Sequence, residues 1–252
     1  MKAEDVIKEF TTPLGSGAFP RGPYRFTNRE YLNITYRTDI DALRALVPEP
    51  LEIDEPLVRF EVMKMPDTTG LGSYTECGQA IMVRMGQEKG EYLHAMYLDN
   101  LPAMAAGREV SAYPKKLGAP TLYTDSDTLV GTLDYGSLRV ATATMGYKHK
   151  PLDLEQAKAE ICVPIFMLKI LWSYEGRPRI CELLRTQISN ITVKGAWTGP
   201  ARLQLFEHAL APLADFPVRE IVSASHILTD LTLTPPKLIH DYLSTSSKSA
   251  SR

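Results

Sequence analysis

The stretch Y-T-E-C-G-Q-A-I-M-V-R-M, residues 74–85, is followed by G-Q-E-K-G at 86–90 and by E-Y-L-H-A-M-Y-L at 91–98. The two outer segments are rich in aromatic and branched apolar residues, which favour β-strands. The glycines that bound the middle segment are typical of a turn. The stretch therefore predicts a β-hairpin whose two strands are joined at residues 86–90.

Further strands and a few short helices are predicted on both sides of this hairpin. Residues 39–47 fit a helix because Ile40, Leu43 and Val47 share one face and Pro48 follows. Other helices are predicted at residues 3–10, 101–111, 152–159 and 238–243. Other strands are predicted at residues 57–63, in two or three pieces across 121–147, and at 180–194, 201–206 and 218–233.

The order of these segments indicates the fold class. Strands are many, helices are few, and the regular βα alternation of a parallel α/β fold is missing. We expect a β-rich α+β fold in which residues 1–243 form a single domain. Its core is predicted to be a curved antiparallel or mixed sheet that closes into a barrel-like shape, with a few short helices. Residues 244–252 are rich in Ser and Lys, which predicts a disordered tail.

Bulk composition argues against several classes of protein. The formal net charge of -2 gives no general attraction to nucleic acid or to an anionic membrane. The sequence has no apolar leader, and no stretch approaches the ~20 apolar residues of a membrane span. The three cysteines, Cys77, Cys162 and Cys181, are far apart and odd in number, which favours reduced thiols. We therefore expect a soluble cytoplasmic protein.

Motifs for nucleotide, metal or serine-nucleophile chemistry are absent from the sequence. It contains neither G-x-G-x-x-G nor G-x-x-x-x-G-K-[ST], and neither H-E-x-x-H nor G-x-S-x-G. Among the five histidines, none stands three or four residues from another. We therefore expect no metal and no cofactor.

The segment E-V-S-A-Y-P-K-K-L-G, residues 109–118, places the adjacent Lys115 and Lys116 between a proline and an apolar stretch. Taken alone, a lysine pair is usually a solvated feature of a loop. The neighbouring sequence gives this pair another meaning, because A-Y-P-K-K-L-G at 112–118 resembles the active-site segment of acetoacetate decarboxylases. Similar segments follow the family's order along residues 1–243: 18–24 (A-F-P-R-G-P-Y), 28–31 (N-R-E-Y), 47–53 (V-P-E-P-L-E-I), 125–133 (D-S-D-T-L-V-G-T-L), 141–148 (A-T-A-T-M-G-Y-K), 196–200 (A-W-T-G-P) and 225–227 (S-H-I).

The resemblance implies a cofactor-free reaction in which acetoacetate, a small β-keto acid, yields acetone and CO2. Lys115 would form a Schiff base with the ketone carbon, and Lys116 would be its cationic neighbour. The protonated imine accepts the electrons released when CO2 leaves and becomes a neutral enamine. The enamine is then protonated, and the resulting iminium is hydrolysed.

The attacking amine must be neutral, whereas a free lysine side chain, with a pKa of about 10.4, is almost fully charged at pH 7. Pro114 favours an extended segment in which Lys115 and Lys116 point to opposite faces, with ammonium groups about 10 Å apart. Repulsion at that distance is about 1.7 kcal/mol for an effective dielectric constant of about 20. Because burial can have a larger effect than this, we expect burial, more than Lys116, to favour the neutral amine.

The resemblance also brings other side chains to the site. Arg29 is expected to bind the substrate carboxylate through its planar guanidinium. Glu76 is a candidate either for repelling that carboxylate as it leaves or for shuttling a proton to the enamine. Glu61 is a further substrate-binding candidate, although an ion pair with Arg59, on the same face of a strand, is an alternative role. Tyr113 is expected to point the same way as the first lysine and to line the pocket or donate a hydrogen bond.

Two other functions remain open at this stage. A relative with the same Schiff-base lysine could catalyse another reaction, such as that of an aldolase-dehydratase, which product analysis would distinguish. A non-enzymatic β-barrel could bind a small apolar ligand, and its lysine would form no adduct. The resemblance further implies a large homo-oligomer, with no indication of the subunit number.

Overall fold

The computed structural model describes residues 1–244, so most of the predicted tail at 244–252 lies outside the described residues. Within that part of the chain, the strands form one sheet of eleven strands and one of four. The larger sheet contains β1 (Tyr24–Arg37), β2 (Leu57–Thr68), β3 (Gly72–Met85), β4 (Glu88–Leu98), β5 (Lys115–Leu117), β9 (Lys150–Pro151), β10 (Ile165–Trp172), β11 (Pro178–Thr186), β12 (Ile188–Thr198), β14 (Glu220–Leu233) and β15 (Lys237–Asp241). The smaller sheet contains β6 (Ala119–Asp125), β7 (Thr128–Tyr135), β8 (Leu138–Gly146) and β13 (Ala201–Leu205).

The helices are short. They are α1 (Ala3–Val6), α2 (Ile40–Arg44), α3 (Leu101–Glu109) and α4 (Leu154–Ile161), with a 3-10 turn at Leu213–Asp215. The two longer ones begin where a polar side chain caps the first turn: Asn100 accepts a hydrogen bond from the Ala103 N–H at 2.8 Å, and Asp153 accepts one from the Gln156 N–H at 2.9 Å.

Strand order in the larger sheet is β15-β11-β10-β4-β3-β2-β1-β14-β12-β9, and β5 also pairs with β4. Most neighbouring strands are antiparallel, but two strands pair with β4 in parallel. Strand β10 pairs near the start of β4, and β5 pairs near the end of β4. The edge strands β15 and β9 do not pair with each other. With both parallel and antiparallel pairs, the sheet is mixed, as expected. The predicted barrel-like closure is not confirmed, because closure would require the edge strands β15 and β9 to meet.

The two faces of the larger sheet are covered differently. One face packs against the smaller sheet through a continuous apolar core that includes Leu32, Phe60 and Val62 from the larger sheet and Leu133 from β7. On the other face, α3 and α4 contribute a second cluster, which contains Met63 and Met96 among others. Successive residues of one strand therefore alternate between two environments.

The central strand β1 changes its alternation at a β-bulge. Phe26 lies opposite Leu231 of β14 and Arg29 lies opposite Thr229, so β1 contains one extra residue at this point. The backbone accommodates the extra residue at Asn28, whose φ is 55°. As a result, Phe26 and Arg29 lie on the same face although they are three positions apart. The pairing with β14 is then regular from Arg29 to Thr35.

Several predicted elements agree with the structure and others differ. The hairpin at residues 74–98 is confirmed as the antiparallel pair β3–β4, and the helices predicted at 39–47, 101–111 and 152–159 correspond to α2, α3 and α4. No strand was predicted for β1 or β10. The helix predicted at 238–243 is wrong over most of its length, because β15 pairs with β11 there.

Candidate active site

Strand β5 places the two adjacent lysines on opposite faces of the larger sheet. Lys115 lies opposite Met96 of β4 and Lys116 lies opposite Tyr97. Met96 belongs to the apolar cluster under α3 and α4, whereas Tyr97 belongs to the core between the sheets. The extended geometry expected after Pro114 is therefore present, and it separates the two side chains.

Lys115 is 7% exposed and ends in a polar contact inside the protein. Its Nζ forms a very short ion pair with Glu76 Oε1 and donates to the Ala103 carbonyl oxygen at 3.3 Å. The same Nζ lies 5.3 Å from the ring centre of Tyr113 and 5.9 Å from that of Tyr74. Tyr113 thus lies on the same side as Lys115, as predicted.

Helix α3 packs directly against the Lys115 side chain. A Cβ atom on Gly107 would lie 2.6 Å from Lys115 Cδ, so a larger residue at this position would displace the lysine. Arg108 donates to the Lys115 carbonyl oxygen at 3.1 Å. Lys169 of β10, itself buried, donates to the carbonyl oxygens of Glu109 at 2.8 Å and Ser111 at 2.6 Å. These contacts fix the end of α3 and the segment that leads into β5.

A cavity of about 530 Å³ opens beside Lys115. Its wall includes Arg29, Glu61, Glu76 and Tyr113, so the structure brings the predicted pocket residues together around the Lys115 amine. Lys116 does not line it. Phe10 and Arg21 contribute from the N-terminal segment, where the guanidinium of Arg21 stacks 4.7 Å from the ring centre of Phe10.

Arg29 is held between two aromatic rings. Its guanidinium carbon lies 5.0 Å from the ring centre of Phe26 and 4.8 Å from that of Tyr31, and Nη2 lies 2.7 Å from Met63 Sδ. Burial opposes the charge, but the nearby Tyr31 and Glu76 side chains leave the pKa of Arg29 raised. Arg29 is therefore a fixed cation at the cavity wall.

Glu61 and Arg59 both line the cavity, but the expected ion pair between them is not the contact that forms. Arg59 pairs instead with Glu91 of β4, with Nη1 2.7 Å from Oε1. Burial raises the pKa of Glu61, and burial likewise raises that of Glu91 to about 7, while Arg59 lowers both. The site therefore contains two carboxyl groups that ionise less readily than an exposed glutamate.

Lys116 makes its contacts between the two sheets. Its Nζ forms a short hydrogen bond to the Leu210 carbonyl oxygen and lies 4.9 Å from the ring centre of Tyr135. These contacts fasten β5 from the side opposite the cavity. The Lys116 ammonium thus does not enter the pocket that contains the Lys115 amine.

The family model described as acetoacetate decarboxylase (ADC) matches residues 10–243 of this chain. The chain belongs to the acetoacetate decarboxylase family. An acetoacetate decarboxylase from Clostridium beijerinckii is 71% identical over 244 residues, which cover 97% of this chain and 99% of the relative. One from Clostridium acetobutylicum is 68% identical over 243 residues, which cover 96% and 100%.

Solved structures of the acetoacetate decarboxylase family have the same fold. One, at 68% identity, superimposes with a TM-score of 0.95 and covers 96% of this chain and 100% of its own. The Legionella pneumophila acetoacetate decarboxylase superimposes with a TM-score of 0.90 at 47% identity, covering 94% and 96%. The enduracididine biosynthesis enzyme MppR, at 18% identity and a TM-score of 0.78 over 92% of this chain and 98% of its own, shares the fold.

Sequence reasoning missed a buried polar cluster behind Glu61, which the resemblance to acetoacetate decarboxylases did not indicate. It comprises Arg59, Glu91, Glu160, Asn33 and Ser225. One signal was available, because Glu91 begins an otherwise apolar strand segment and a charge there needs a buried partner.

No helix within residues 1–244 is long and apolar enough to span a membrane. The same residues contain no group of three or more His, Cys, Asp or Glu side chains placed to hold a metal ion.

Proposed function

We propose that this protein decarboxylates acetoacetate to acetone and CO2 through a Schiff base on Lys115. The observation that carries the proposal is a buried lysine amine in contact with the Glu76 carboxylate, on the wall of a cavity that also contains Arg29. Membership of the acetoacetate decarboxylase family supplies the reaction and the substrate, a small β-keto acid. The protein is accordingly a carboxy-lyase.

The first step is release of the Lys115 amine from its proton. The amine is buried, and its Nζ is in contact with the Glu76 carboxylate. Glu76 receives the proton, and the freed lone pair attacks the ketone carbon of the substrate. The same proton then passes to the hydroxyl of the carbinolamine, which leaves as water when the imine forms.

Arg29 binds the substrate carboxylate while the imine forms. A guanidinium that held this group too tightly would stabilise the ground state and oppose the loss of CO2. Arg29 is already close to the charge of Glu76, which weakens its hold on a further carboxylate. Glu76 thereby favours departure of the carboxylate as neutral CO2.

The bond to the carboxylate carbon breaks once the imine is protonated. Its electron pair moves toward the imine nitrogen and leaves a neutral enamine on Lys115. A proton is added to the enamine carbon, and water then hydrolyses the iminium to acetone and free lysine. Tyr113 and Tyr74 lie beside Nζ throughout and exclude bulk water from it.

Self-association and a cytoplasmic location are further parts of the proposal. The β10–β11 hairpin exposes Ile170, Leu171, Trp172 and Tyr174 at its end, and contiguous apolar surface of this kind marks interaction sites. Light scattering coupled to size-exclusion chromatography is expected to give a mass that is a multiple of the 28.1 kDa chain. A monomer at micromolar concentration would rule out the homo-oligomer, and cell fractionation tests the location.

The experiment that tests the reaction is borohydride trapping in the presence of acetoacetate, followed by peptide mass spectrometry. A reduced adduct is expected on Lys115 and not on Lys116, and Lys115→Gln is expected to lose both the adduct and CO2 release. Lys64→Gln, on an exposed position of β2, is the matched control. An adduct on another lysine, or a product with a new carbon–carbon bond, would contradict the proposal.

A further inference from the structure

Decarboxylation of acetoacetate takes up a proton, because the acetoacetate anion and one proton give acetone and CO2. That proton must reach the enamine carbon inside an enclosed cavity. The source of the proton is a separate question from the identity of the nucleophile, and its answer rests on the proposed Schiff-base chemistry.

The charges around the cavity show when a proton is needed. In the interior of the cavity, Glu61, Glu76 and Glu91 face Arg29, Arg59 and the Lys115 nitrogen, so three carboxyl groups meet three cationic groups. The further cation, Arg21, lies at the exposed mouth. A bound substrate adds one more carboxylate and leaves the cavity short of one positive charge. An unpaired charge is costly to bury, so entry of the substrate favours a proton on one of the glutamates.

Glu61 is the glutamate best placed to hold that proton. Glu76 is already in contact with Lys115 Nζ, and Glu91 is paired with Arg59. Arg59 lies two residues before Glu61 on β2, but it forms an ion pair with Glu91 and donates to the Glu160 carbonyl oxygen at 3.1 Å. Its guanidinium is therefore directed away from Glu61. Within residues 1–244, Glu61 thus has no ion pair that would hold it ionised.

The sheet also directs Glu61 toward the reacting atoms. A row across the face runs from Asn33 to Glu61, Gly78, Met96 and Lys115, one residue from each neighbouring strand. Gly78 has no side chain, and a Cβ there would lie 3.2 Å from Glu61 Oε1. The Glu61 carboxyl group therefore extends over β3 toward Lys115, across a backbone separation of about 14 Å in total.

Burial is the largest influence that favours the acid form of Glu61. Arg59 on β2 and Arg29 on β1 oppose this form, whereas Glu76 on β3 and Glu160 on α4 support it. Glu160 is partly exposed, and it accepts hydrogen bonds from Asn33 at 2.9 Å and Ser225 at 2.7 Å. Asn33, opposite Glu61, keeps this additional negative charge close by.

We propose that Glu61 protonates the enamine carbon, and that Glu91 supports this step by holding Arg59 away from Glu61. The Glu61 O–H bond breaks as the new C–H bond forms from the enamine π electrons. The nitrogen lone pair then completes the iminium, and Glu61 is left as a carboxylate. Glu61 is reprotonated from solvent before the next turnover.

The test separates proton transfer at carbon from formation of the imine. Acetone is incubated with the enzyme in deuterated water, and exchange of its methyl hydrogens is followed by NMR. Borohydride trapping of acetone on Lys115 is measured in parallel. Glu61→Gln is expected to keep the trapping and to lose exchange and kcat by roughly 10²- to 10⁴-fold. Glu155→Gln, on the exposed first turn of α4, is the matched control and is expected to match the wild type.

A second variant tests the part assigned to Glu91. Glu91→Gln frees Arg59 to pair with Glu61, so the falling limb of the kcat–pH profile is expected to move about one pH unit toward acid. If Glu61→Gln fails to fold, the kcat–pH profile of Glu91→Gln still tests whether Glu61 is the proton donor.

Three outcomes would overturn the inference. They are wild-type exchange in Glu61→Gln, loss of its trapping in parallel with exchange, or an unmoved profile in Glu91→Gln. Absence of trapping in the wild-type enzyme would instead refute the proposed function itself.

Discussion

The two faces of the larger sheet are built from the same strands but contain opposite environments. In β2, Phe60 and Val62 enter the dry core between the sheets, whereas Arg59 and Glu61 line the cavity. In β5, Lys116 lies on the first side and Lys115 on the second. Alternation along a strand is therefore sufficient to place a reactive amine and an anchoring amine in adjacent positions.

The closed face gains stability from packing, and the open face keeps space for chemistry. Between the sheets, side chains such as Leu32 and Leu133 fill the available volume. Under α3 and α4 the same sheet leaves a cavity of about 530 Å³ and surrounds it with charges. Changes on the open face should therefore alter turnover, and changes on the closed face should alter the free energy of unfolding.

Removing each lysine in turn tests the difference between the two faces most directly. Lys115→Met is expected to lower kcat by about 10⁴-fold or more, since the nucleophile is lost. Lys116→Met is expected to keep the pH dependence of borohydride trapping and to lower the free energy of unfolding by about 1–2 kcal/mol, because a hydrogen bond and a cation–π contact disappear. A trapping profile that moves by several pH units in Lys116→Met would show that the Lys116 charge reaches the pocket.

Two glycines offer a matched pair of steric changes. A Cβ on Gly107 would lie 2.6 Å from Lys115 Cδ, and one on Gly131 of β7 would lie 2.8 Å from Val62 Cγ2. Gly107→Ala is expected to lower kcat by roughly 10²-fold through displacement of the amine. Gly131→Ala is expected to cost about 1–3 kcal/mol of stability and to leave kcat per folded enzyme unchanged. Equal kinetics in the two variants would remove the distinction between the faces.

The buried acid on the open face makes stability depend on pH. Burial raises the pKa of Glu91 from 4.5 to about 7. The folded state then binds more protons than the unfolded state between these values, so the stability that Glu91 contributes below 4.5 is lost as the pH rises through 7. Glu91→Gln is expected to flatten this dependence in urea titrations. An unchanged slope would contradict the burial argument.

The smallest expected effect lies at the mouth of the cavity. Arg21 lines it from an exposed position, so its charge should steer anionic substrate. Arg21→Gln is expected to lower kcat/KM by about 2- to 5-fold at low ionic strength, with the difference vanishing in high salt and kcat unchanged. Arg25→Gln, also exposed but outside the cavity, is the control. A salt-independent loss would exclude steering.

The parts of the fold that were predicted correctly are those that a short stretch of sequence determines. The β3–β4 hairpin is bounded by glycines and rich in strand-forming residues, and the divergence of the two lysines follows from extension after Pro114. Strand β1 was missed because its bulge at Asn28 interrupts the alternation that identifies a strand. Closure of the sheet depends on which edges meet, and no local pattern records that.

Only part of the site was predicted from the sequence. Resemblance to a family supplied Lys115, Glu76, Arg29 and Glu61, and the structure brings them to one cavity. Lys169 interrupted an apolar run in the sequence, yet it lies buried and donates to backbone oxygens at the end of α3. Such contacts join residues about 60 positions apart, so no periodic pattern in the sequence indicates them.

The extra residue at Asn28 has a consequence at the level of the gene. Phe26 and Arg29 share a face because β1 makes three steps there while β14 makes two. Loss of this single codon would equalise the steps and turn one half of the strand over, since side chains alternate with a period of two. Either Phe26 or Arg29 would then leave the cavity wall. Position 28, whose φ of 55° favours Asn, Asp or Gly, should therefore accept replacement by Asp or Gly and reject an in-frame deletion.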